Sequence, residues 1–258
     1  DLKARRGVPF VFDMHDLQHT WVRLPAPNST VRKAVSGRMK QRMLTRAKQA
    51  DVIITSSGRV QEDGHRGFVE WLAHHGLEGS VVENRPLPPF ADEKKPPENG
   101  WTVGYIGRVR DIRSFELLVE AVKTIPAFER PKLRVAGDGT AASKVRTLLM
   151  SEVEAGTIEA EVSGAFSQSE LPELLQSVDV MYAMYSPQRG NVLQGALPVK
   201  VFDAASGGVP SVVNAGCLMA DVVVSENIGA HAPWGDAESV GQTLRSLRDT
   251  VAELAATG

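Results

Sequence analysis

The chain of 258 residues lacks the features that several large protein classes require. Its single cysteine, Cys217, excludes an intramolecular disulfide framework and a zinc site of several cysteines. The net charge of −2 argues against a dedicated nucleic-acid-binding protein, because that role needs a strongly basic surface. No apolar run approaches the roughly 20 residues of a membrane-spanning helix. Adjacent His74 and His75 would point apart on a helix, so we expect no metal site. The first residues do not form a secretion signal, so we expect a cytoplasmic protein.

Composition and periodicity predict a globular α/β fold, with apolar residues at 42% and charged residues at 23%. Short apolar runs alternate with helical patterns, which favours parallel sheets with helices on both faces. The predicted strands are Pro9–Asp13, Val52–Thr55, Ser80–Glu83, Thr102–Ile106, Lys132–Ala136, Ala160–Val162, Val178–Tyr182, Ser211–Val213 and Gly229–His231. The predicted helices are Ser29–Gln49, Gly58–His75, Ser114–Thr124, Ala141–Ala155, Ser169–Ser177, Val199–Ser206 and Asp236–Ala255.

A proline-rich stretch, Arg85–Gly100, indicates a boundary between two domains. We therefore predict a partial N-terminal domain at 1–88, a linker at 89–100 and a C-terminal domain at 101–258. Three strands make a thin N-terminal sheet with a poorly covered edge. We expect that earlier strands of this domain are missing or come from a partner; the alternative is a small lobe docked on the larger domain.

Cationic residues follow the predicted strand that ends at Ile106. Gly107 lets the backbone turn close to a ligand, and the guanidinium groups of Arg108 and Arg113 suit phosphate oxygens. The alternative is a surface arginine paired with Asp111 or Glu116. The next two strands end at the same sheet edge, where open α/β sheets bind ligands, and are followed by Gly137-Asp138-Gly139 and Gly164-Ala165-Phe166. The alternatives are an ordinary turn for the first segment and a core residue for Phe166.

Lys200 has an unusual position in the first turn of the helix predicted at Val199–Ser206. A cation there opposes the helix dipole unless an anion occupies the N-terminus. The alternative is a surface lysine whose stem packs on the apolar face. Asp203, within one turn of Lys200, suits a ribose hydroxyl or pairing with that lysine.

Two features of the N-terminal part also suit ligands. His15 follows the first strand, where a histidine contacts a sugar hydroxyl or phosphate, or simply caps the loop. Residues 29–49 form an amphipathic basic helix within a stretch, Leu17–Ala50, that has no acidic residue. Such a helix usually packs on its sheet with its charges in water; the alternative is contact with an anionic membrane at its inner face or with an acidic acceptor.

In this order, the segments resemble the retaining glycosyltransferases of the glycosyltransferase-B (GT-B) fold with a family-four-type C-terminal domain. Tyr105-Ile106-Gly107-Arg108 with Arg113 is similar to that family's Gly-Arg-Leu…Lys-Gly segment. The other similar segments are Val8–Asp16, Ala50–Ser57, Val82–Asn84, Leu133–Gly139, Val162–Gly164, Glu170–Leu171, Ser177–Val180 and Phe202–Pro210.

The resemblance implies two Rossmann-like domains, with a nucleoside diphosphate-sugar donor held by the C-terminal one and an acceptor by the N-terminal one. It places Gly107, Arg108, Arg113, Leu197 and Lys200 in donor binding. It also places Ala165 and Phe166 at the base, Asp203 at the ribose and His15 at the transferred sugar. Transfer with retention of configuration and without a required metal or cofactor is implied as well.

The pattern departs from the family at two places. Gly195 stands where the family has the first Glu of a Glu-x7-Glu pair, and Asp203 stands where it has the second. Leu197-Pro198-Val199-Lys200 is closer to a branch with Pro-x-Lys before the helix. The family's first N-terminal strands and its C-terminal crossing helix have no counterpart, so we expect donor binding with poor turnover.

The function indicated is a hexosyltransferase that uses a nucleoside diphosphate-sugar such as a UDP-sugar. Its acceptor is a glycan, a lipid or a small molecule, in cell-surface glycan, cell-envelope polysaccharide or glycolipid synthesis. Two alternatives stay open. One is a degenerate nucleotide-sugar-binding module that is active only in an assembly. The other is a nucleotide-sugar epimerase, for which the sequence shows no acid/base residues.

Overall fold

The computed structural model describes residues 7–23, 26–86, 100–188 and 190–257, without the side chains of residue 190 and residues 250–257. Its strands are β1 Val11–Met14, β2 Val52–Thr55, β3 Ser80–Val81, β4 Thr102–Ile106, β5 Lys132–Ala136, β6 Glu159–Ser163, β7 Val180–Ala183, β8 Ser211–Asn214 and β9 Gly229–Ala232. Its helices are α1 Gln18–Trp21, α2 Thr30–Ala47, α3 Phe68–His74, α4 Ile112–Thr124, α5 Ala142–Glu154, α6 Leu171–Gln176, α7 Gly190–Leu193, α8 Val199–Ser206, α9 Leu218–Ser225 and α10 Ala237–Thr257.

The chain forms two compact units that are not contiguous in sequence. The first, unit 1, takes the described parts of Asp1–Asn84 together with Pro187–Leu197 and Gly216–Asp221. The second, unit 2, takes those of Arg85–Ser186, Pro198–Ala215 and Val222–Gly258. The predicted linker, 89–100, lies outside the described residues except for Gly100.

Unit 1 is built on a parallel sheet in the order β1-β2-β3. The strands pair in register, with Val11 opposite Val52 and Ile54 opposite Ser80. Buried side chains of the sheet and of helices α2 and α3 form its core, which is made of Met14, Leu17, Leu44, Ala47, Ile53, Phe68, Leu72, Leu77 and Ala196. Because Ala196 comes from the 187–197 segment, that segment is part of the core of unit 1.

Helix α3 begins at Phe68, so the prediction of a helix from Gly58 was wrong for residues 58–67. The Glu70 carboxylate accepts a hydrogen bond from the Gly67 amide at 2.8 Å, and Ser57 Oγ accepts one from the Phe68 amide at 2.9 Å. These bonds satisfy the first amides of α3 and fix where the helix starts.

Unit 1 also contains a buried histidine whose titration predicts a pH dependence. His19 is 8% exposed, and burial, with smaller contributions from Lys40 and His75, lowers its pKa from 6.5 to about 4. Because the pKa is higher in the unfolded chain, unfolding takes up a proton between these two values. The stabilisation by neutral His19 is therefore complete above pH 6.5 and is lost as the pH falls toward 4.

We expect the free energy of unfolding to drop by up to about 3 kcal/mol across this window. His19→Leu should flatten this part of the profile, because leucine takes up no proton. The measurement is urea unfolding at pH values above and within the window. His231→Leu, at an exposed histidine, is the control and should keep the wild-type slope. Equal slopes in wild type and His19→Leu would contradict the assignment.

Unit 2 is built on a six-stranded parallel sheet in the order β6-β5-β4-β7-β8-β9. The interior strands β7 and β8 are buried at every position, as strands covered by helices on both faces must be. One face of the sheet packs on Phe115, Leu118, Leu149 and Leu244, and the other packs on Leu171, Leu175, Ala204 and Val209. The chain runs outward from β4 to β6 and then returns to β7, so the strand order reverses between β4 and β7. Open α/β sheets bind ligands at the carboxyl ends of the strands at such a reversal.

Candidate functional site

The turns that follow β4 and β5 lie backbone to backbone. The Gly107 amide donates to Ala136 O at 2.9 Å, and the Val109 amide donates to Asp138 O at 2.8 Å. Gly137 has a φ of +146°, and a Cβ on it would overlap the Gly107 carbonyl. Glycine is therefore required at residue 137 by both the backbone conformation and the close approach of the two turns.

Arg108 and Arg113 each pair with a nearby carboxylate. Arg108 Nη1 lies 2.5 Å from Asp138 Oδ1, and the two side chains are 64% and 51% exposed. Arg113 Nη2 lies 3.3 Å from Asp111 Oδ2. An exposed pair such as Arg108–Asp138 contributes about 0–1 kcal/mol, so the Arg108 guanidinium can turn to another anion at little cost. The Arg113 pair differs, because the Asp111 side chain is only 18% exposed. The pairing of Arg113 with Asp111 is the alternative that the sequence left open.

Helix α4 begins two residues earlier than predicted because Asp111 caps it. The Asp111 side chain accepts from the Arg113 amide at 3.2 Å. Ser114, which the sequence placed at the start of the helix, is 4% exposed and donates through Oγ to Met184 O at 2.7 Å. The start of α4 is thereby attached to the residue that follows β7.

Lys200 lies beside the turn after β4. Its ammonium is 3.3 Å from the centroid of the Tyr105 ring and 5.7 Å from that of Tyr185. A Cβ on Gly107 would be 3.4 Å from Lys200 Cε. The structure thus brings Gly107 and Lys200 together at the reversal of strand order, as the shared sheet edge predicted.

Asp203 lies one turn further along α8 and is half-buried. Burial raises the pKa of its carboxyl above the ordinary value. Leu197, which the resemblance assigns to the donor site, belongs to unit 1, whereas Pro198 and the whole of α8 belong to unit 2.

Asn214 is a buried polar residue that sequence reasoning missed. It is 3% exposed, accepts from the Tyr185 amide at 2.8 Å and donates to Tyr185 O at 2.9 Å. These two bonds fix the backbone of the tyrosine whose ring faces Lys200. A polar residue directly after the predicted strand Ser211–Val213 was the available signal, since a buried amide needs partners.

A cavity of about 290 Å³ lies at the carboxyl ends of β5 and β6. Its lining includes Gly137, Asp138, Arg146, Val162 and Gly164. It adjoins the Asp138 turn to which Arg108 is paired.

Ala165 and Phe166 follow β6 at the same edge. Ala165 is exposed, and Phe166 is partly buried against the apolar cluster that contains Ile106 and Ala136. The side chain of Phe166 is therefore used in packing, the alternative that the sequence left open for it.

His15 belongs to unit 1 and lies in the loop after β1. Its Nε2 is 3.5 Å from Asp13 Oδ2, and both side chains are more than half exposed. The next residue, Asp16, accepts from Asn191 Nδ2 at 3.0 Å, and Ser57 Oγ donates to Gly195 O at 2.6 Å. The 187–197 segment is thus hydrogen-bonded to the loop that carries His15.

The described residues contain neither a metal-binding cluster nor a membrane-spanning helix. No group of three or more His, Cys, Asp or Glu side chains within them is placed to hold a metal ion. None of the helices that the structure describes is long and apolar enough to cross a bilayer.

Residues 89–251 match the family Glycosyl transferases group 1, and the chain belongs to this family. No curated protein matches the sequence. Many solved structures share the fold. Sucrose-phosphate synthase from Thermosynechococcus elongatus matches 98% of this chain with a TM-score of 0.66 and 17% identity. Anabaena HepE in complex with UDP and glucose matches 99% with a TM-score of 0.59 and 14% identity.

Staphylococcus aureus TarM, in complex with fondaparinux, α-GlcNAc-glycerol and UDP, matches 84% of the chain with a TM-score of 0.56 and 13% identity. The chain spans 62% of the synthase, 68% of HepE and 42% of TarM. The fold is the α/β Rossmann-like GT-B fold of glycosyltransferases, and both the fold class and the family resemblance predicted from the sequence are confirmed.

Proposed function

We propose that the protein is a glycosyltransferase that transfers a hexose from a nucleoside diphosphate-sugar to a hydroxyl acceptor with retention of configuration. The observation that carries this proposal is the position of Lys200 beside Gly107 at the strand reversal of unit 2. An ammonium there, at the first turn of a helix, suits a diphosphate because the helix dipole and the side chain then attract the same anion.

In this proposal Arg108 and Arg113 join Lys200 on the diphosphate. The exposed pair of Arg108 with Asp138 is weak enough to be exchanged for phosphate contacts, which are charge-assisted and stronger. Arg113 would exchange its 3.3 Å contact with Asp111 in the same way. As the bond to the sugar breaks, negative charge develops on the leaving diphosphate, and fixed cations stabilise it. Because these side chains supply the charge, we propose that no metal or cofactor is required.

The remaining donor contacts follow from the same edge of the sheet. The base would occupy the cavity beside Asp138 and contact the backbone of Ala165 and Phe166. Asp203 would accept from a ribose hydroxyl, and Leu197 would line the donor site. His15 would approach the transferred sugar as the catalytic residue. UDP is the first nucleotide to test, since the HepE and TarM structures contain it.

The acceptor is proposed to be a glycan, a lipid or a small molecule of cell-envelope polysaccharide or glycolipid synthesis, not a nucleic acid. This assignment rests on the family alone. We propose that the protein lies in the cytoplasm, with peripheral contact to the inner face of the membrane through residues 29–49. The exposed arginines of α2, in a stretch without acidic residues, support that contact.

The test is a titration of the protein with UDP- and GDP-sugars, followed by Arg108→Ala. We expect one nucleotide class to bind and Arg108→Ala to weaken it about tenfold, because a charge-assisted contact is lost. Lys132→Ala is the matched control: it removes one exposed cation at the amino end of β5 and should leave affinity unchanged. Calorimetry measures the affinities, and mass spectrometry of the sugar detects transfer or hydrolysis.

Failure to bind any nucleotide sugar would overturn the proposal. Binding without transfer or hydrolysis would favour the alternative of a binding module that works only within an assembly. Conversion of the donor sugar without an acceptor would instead favour an epimerase.

A further inference from the structure

Helix α2 has two opposite faces that differ in burial. Ser36, Leu44 and Ala47 are buried against the rest of unit 1. Steps of three and four residues along a helix return to the same side, and on the side opposite to the buried face they connect five exposed residues. In order these are Val31, Val35, Arg38, Arg42 and Arg46, named here the Val–Arg line.

The three arginines of the Val–Arg line are not neutralised within the described chain. Neither Arg38, Arg42 nor Arg46 forms an ion pair with another described residue, whereas cations elsewhere, such as Lys123 and Arg134, do. No acidic residue occurs between Leu17 and Ala50. Successive guanidinium groups are about 6 Å apart along the axis, a spacing at which like charges repel.

The two valines continue this line toward the start of α2. Val31 is 70% exposed and Val35 is 41% exposed, so both apolar side chains are in water. Arginines beside exposed apolar side chains on one helix face match the boundary of an anionic bilayer, where cations meet lipid phosphates and apolar groups enter the acyl region. A nucleic-acid backbone would satisfy the arginines and leave the valines without a role.

We propose that the Val–Arg line is a docking surface for an anionic lipid bilayer. The arginines supply the attraction to the charged headgroups, and the valines supply a smaller contribution that salt does not screen. The charge and burial of α2 carry this proposal, so bilayer binding can be tested independently of the proposed sugar transfer.

The test is cosedimentation of the whole chain with vesicles of phosphatidylcholine that contain phosphatidylglycerol, against vesicles of phosphatidylcholine alone. We expect binding only to the anionic vesicles, with a partition coefficient that falls as salt rises. Arg38→Gln/Arg42→Gln/Arg46→Gln should lower it by roughly a hundredfold, since each charge contributes about fivefold. Val31→Ser/Val35→Ser should weaken the part of the binding that persists at high salt.

The control is Lys33→Gln/Lys48→Gln/Lys144→Gln, which removes three exposed cations outside the Val–Arg line and changes the net charge equally. It should retain most of the binding, and circular dichroism checks that each variant folds. Equal loss in both triple variants would show a general charge effect and overturn the proposal. So would the absence of binding to anionic vesicles at low salt, or tighter binding to a DNA duplex than to the vesicles.

Discussion

Lys200→Ala is expected to weaken UDP binding by about tenfold to a hundredfold. The ammonium is held between the Tyr105 ring, 3.3 Å away, and the Gly107 turn, where a diphosphate would bind in this proposal. Because both tyrosines that flank it are largely buried, its charge is less screened by water than that of Arg108. We therefore expect a larger loss than for Arg108→Ala.

Calorimetric titration with UDP measures this effect, with Lys200→Gln as the matched variant. Glutamine keeps a polar group of similar length and removes only the charge, so its loss should approach that of alanine. A dissociation constant that stays the same in both variants would remove Lys200 from the donor site. A loss for alanine alone would indicate packing of the lysine stem rather than contact with phosphate.

Gly137→Ala is expected to destabilise unit 2 by about 3–5 kcal/mol. Two effects add at this residue. A φ of +146° is unfavourable for an L-residue, and the new Cβ would overlap the Gly107 carbonyl. The turn after β4 would have to move away from the turn after β5. Because the displaced turn carries Arg108, nucleotide affinity should fall as well.

Gly156→Ala separates these two effects. Gly156 also has a positive φ, +69°, but nothing lies within 4 Å of a Cβ there. It should therefore show only the conformational cost, about 1–2 kcal/mol. Urea unfolding measures both variants. Similar losses in the two would mean that the close approach of the turns contributes nothing, and the interpretation of Gly137 would be falsified.

The sequence predicted the elements of unit 2 more accurately than those of unit 1. Strands β4 and β5 and helix α8 have the predicted bounds, because apolar runs and turn glycines delimit them. Helix α3 starts later than predicted because Ser57 and Glu70 accept hydrogen bonds from its first amides. These bonds depend on how the loop 58–67 folds, which the sequence pattern does not reveal. Helix α9, Leu218–Ser225, was missed because its valines locally favour a strand.

The sequence likewise predicted some features of the candidate site and missed others. Strand ends and glycine turns placed Gly107 and Lys200 on one edge, since carboxyl ends of parallel strands share an edge. Sequence spacing did not reveal that Arg108 would pair with Asp138 or that Asn214 would fix the Tyr185 backbone, because those contacts depend on loop conformation. The donor-binding and catalytic roles of these residues stay predictions until ligand binding is measured.

The placement of Ala196 limits how this protein can be dissected. A fragment that stops near residue 86 would contain every strand of the unit 1 sheet, yet it would lack Ala196, a member of the apolar core around Phe68. It would also lose the Gly195 carbonyl that accepts from Ser57 and the Asn191 amide that donates to Asp16. Separate expression of the two halves would thus expose apolar surface and leave a buried hydroxyl without its acceptor, so unit 1 is expected to need residues 187–197 for its stability.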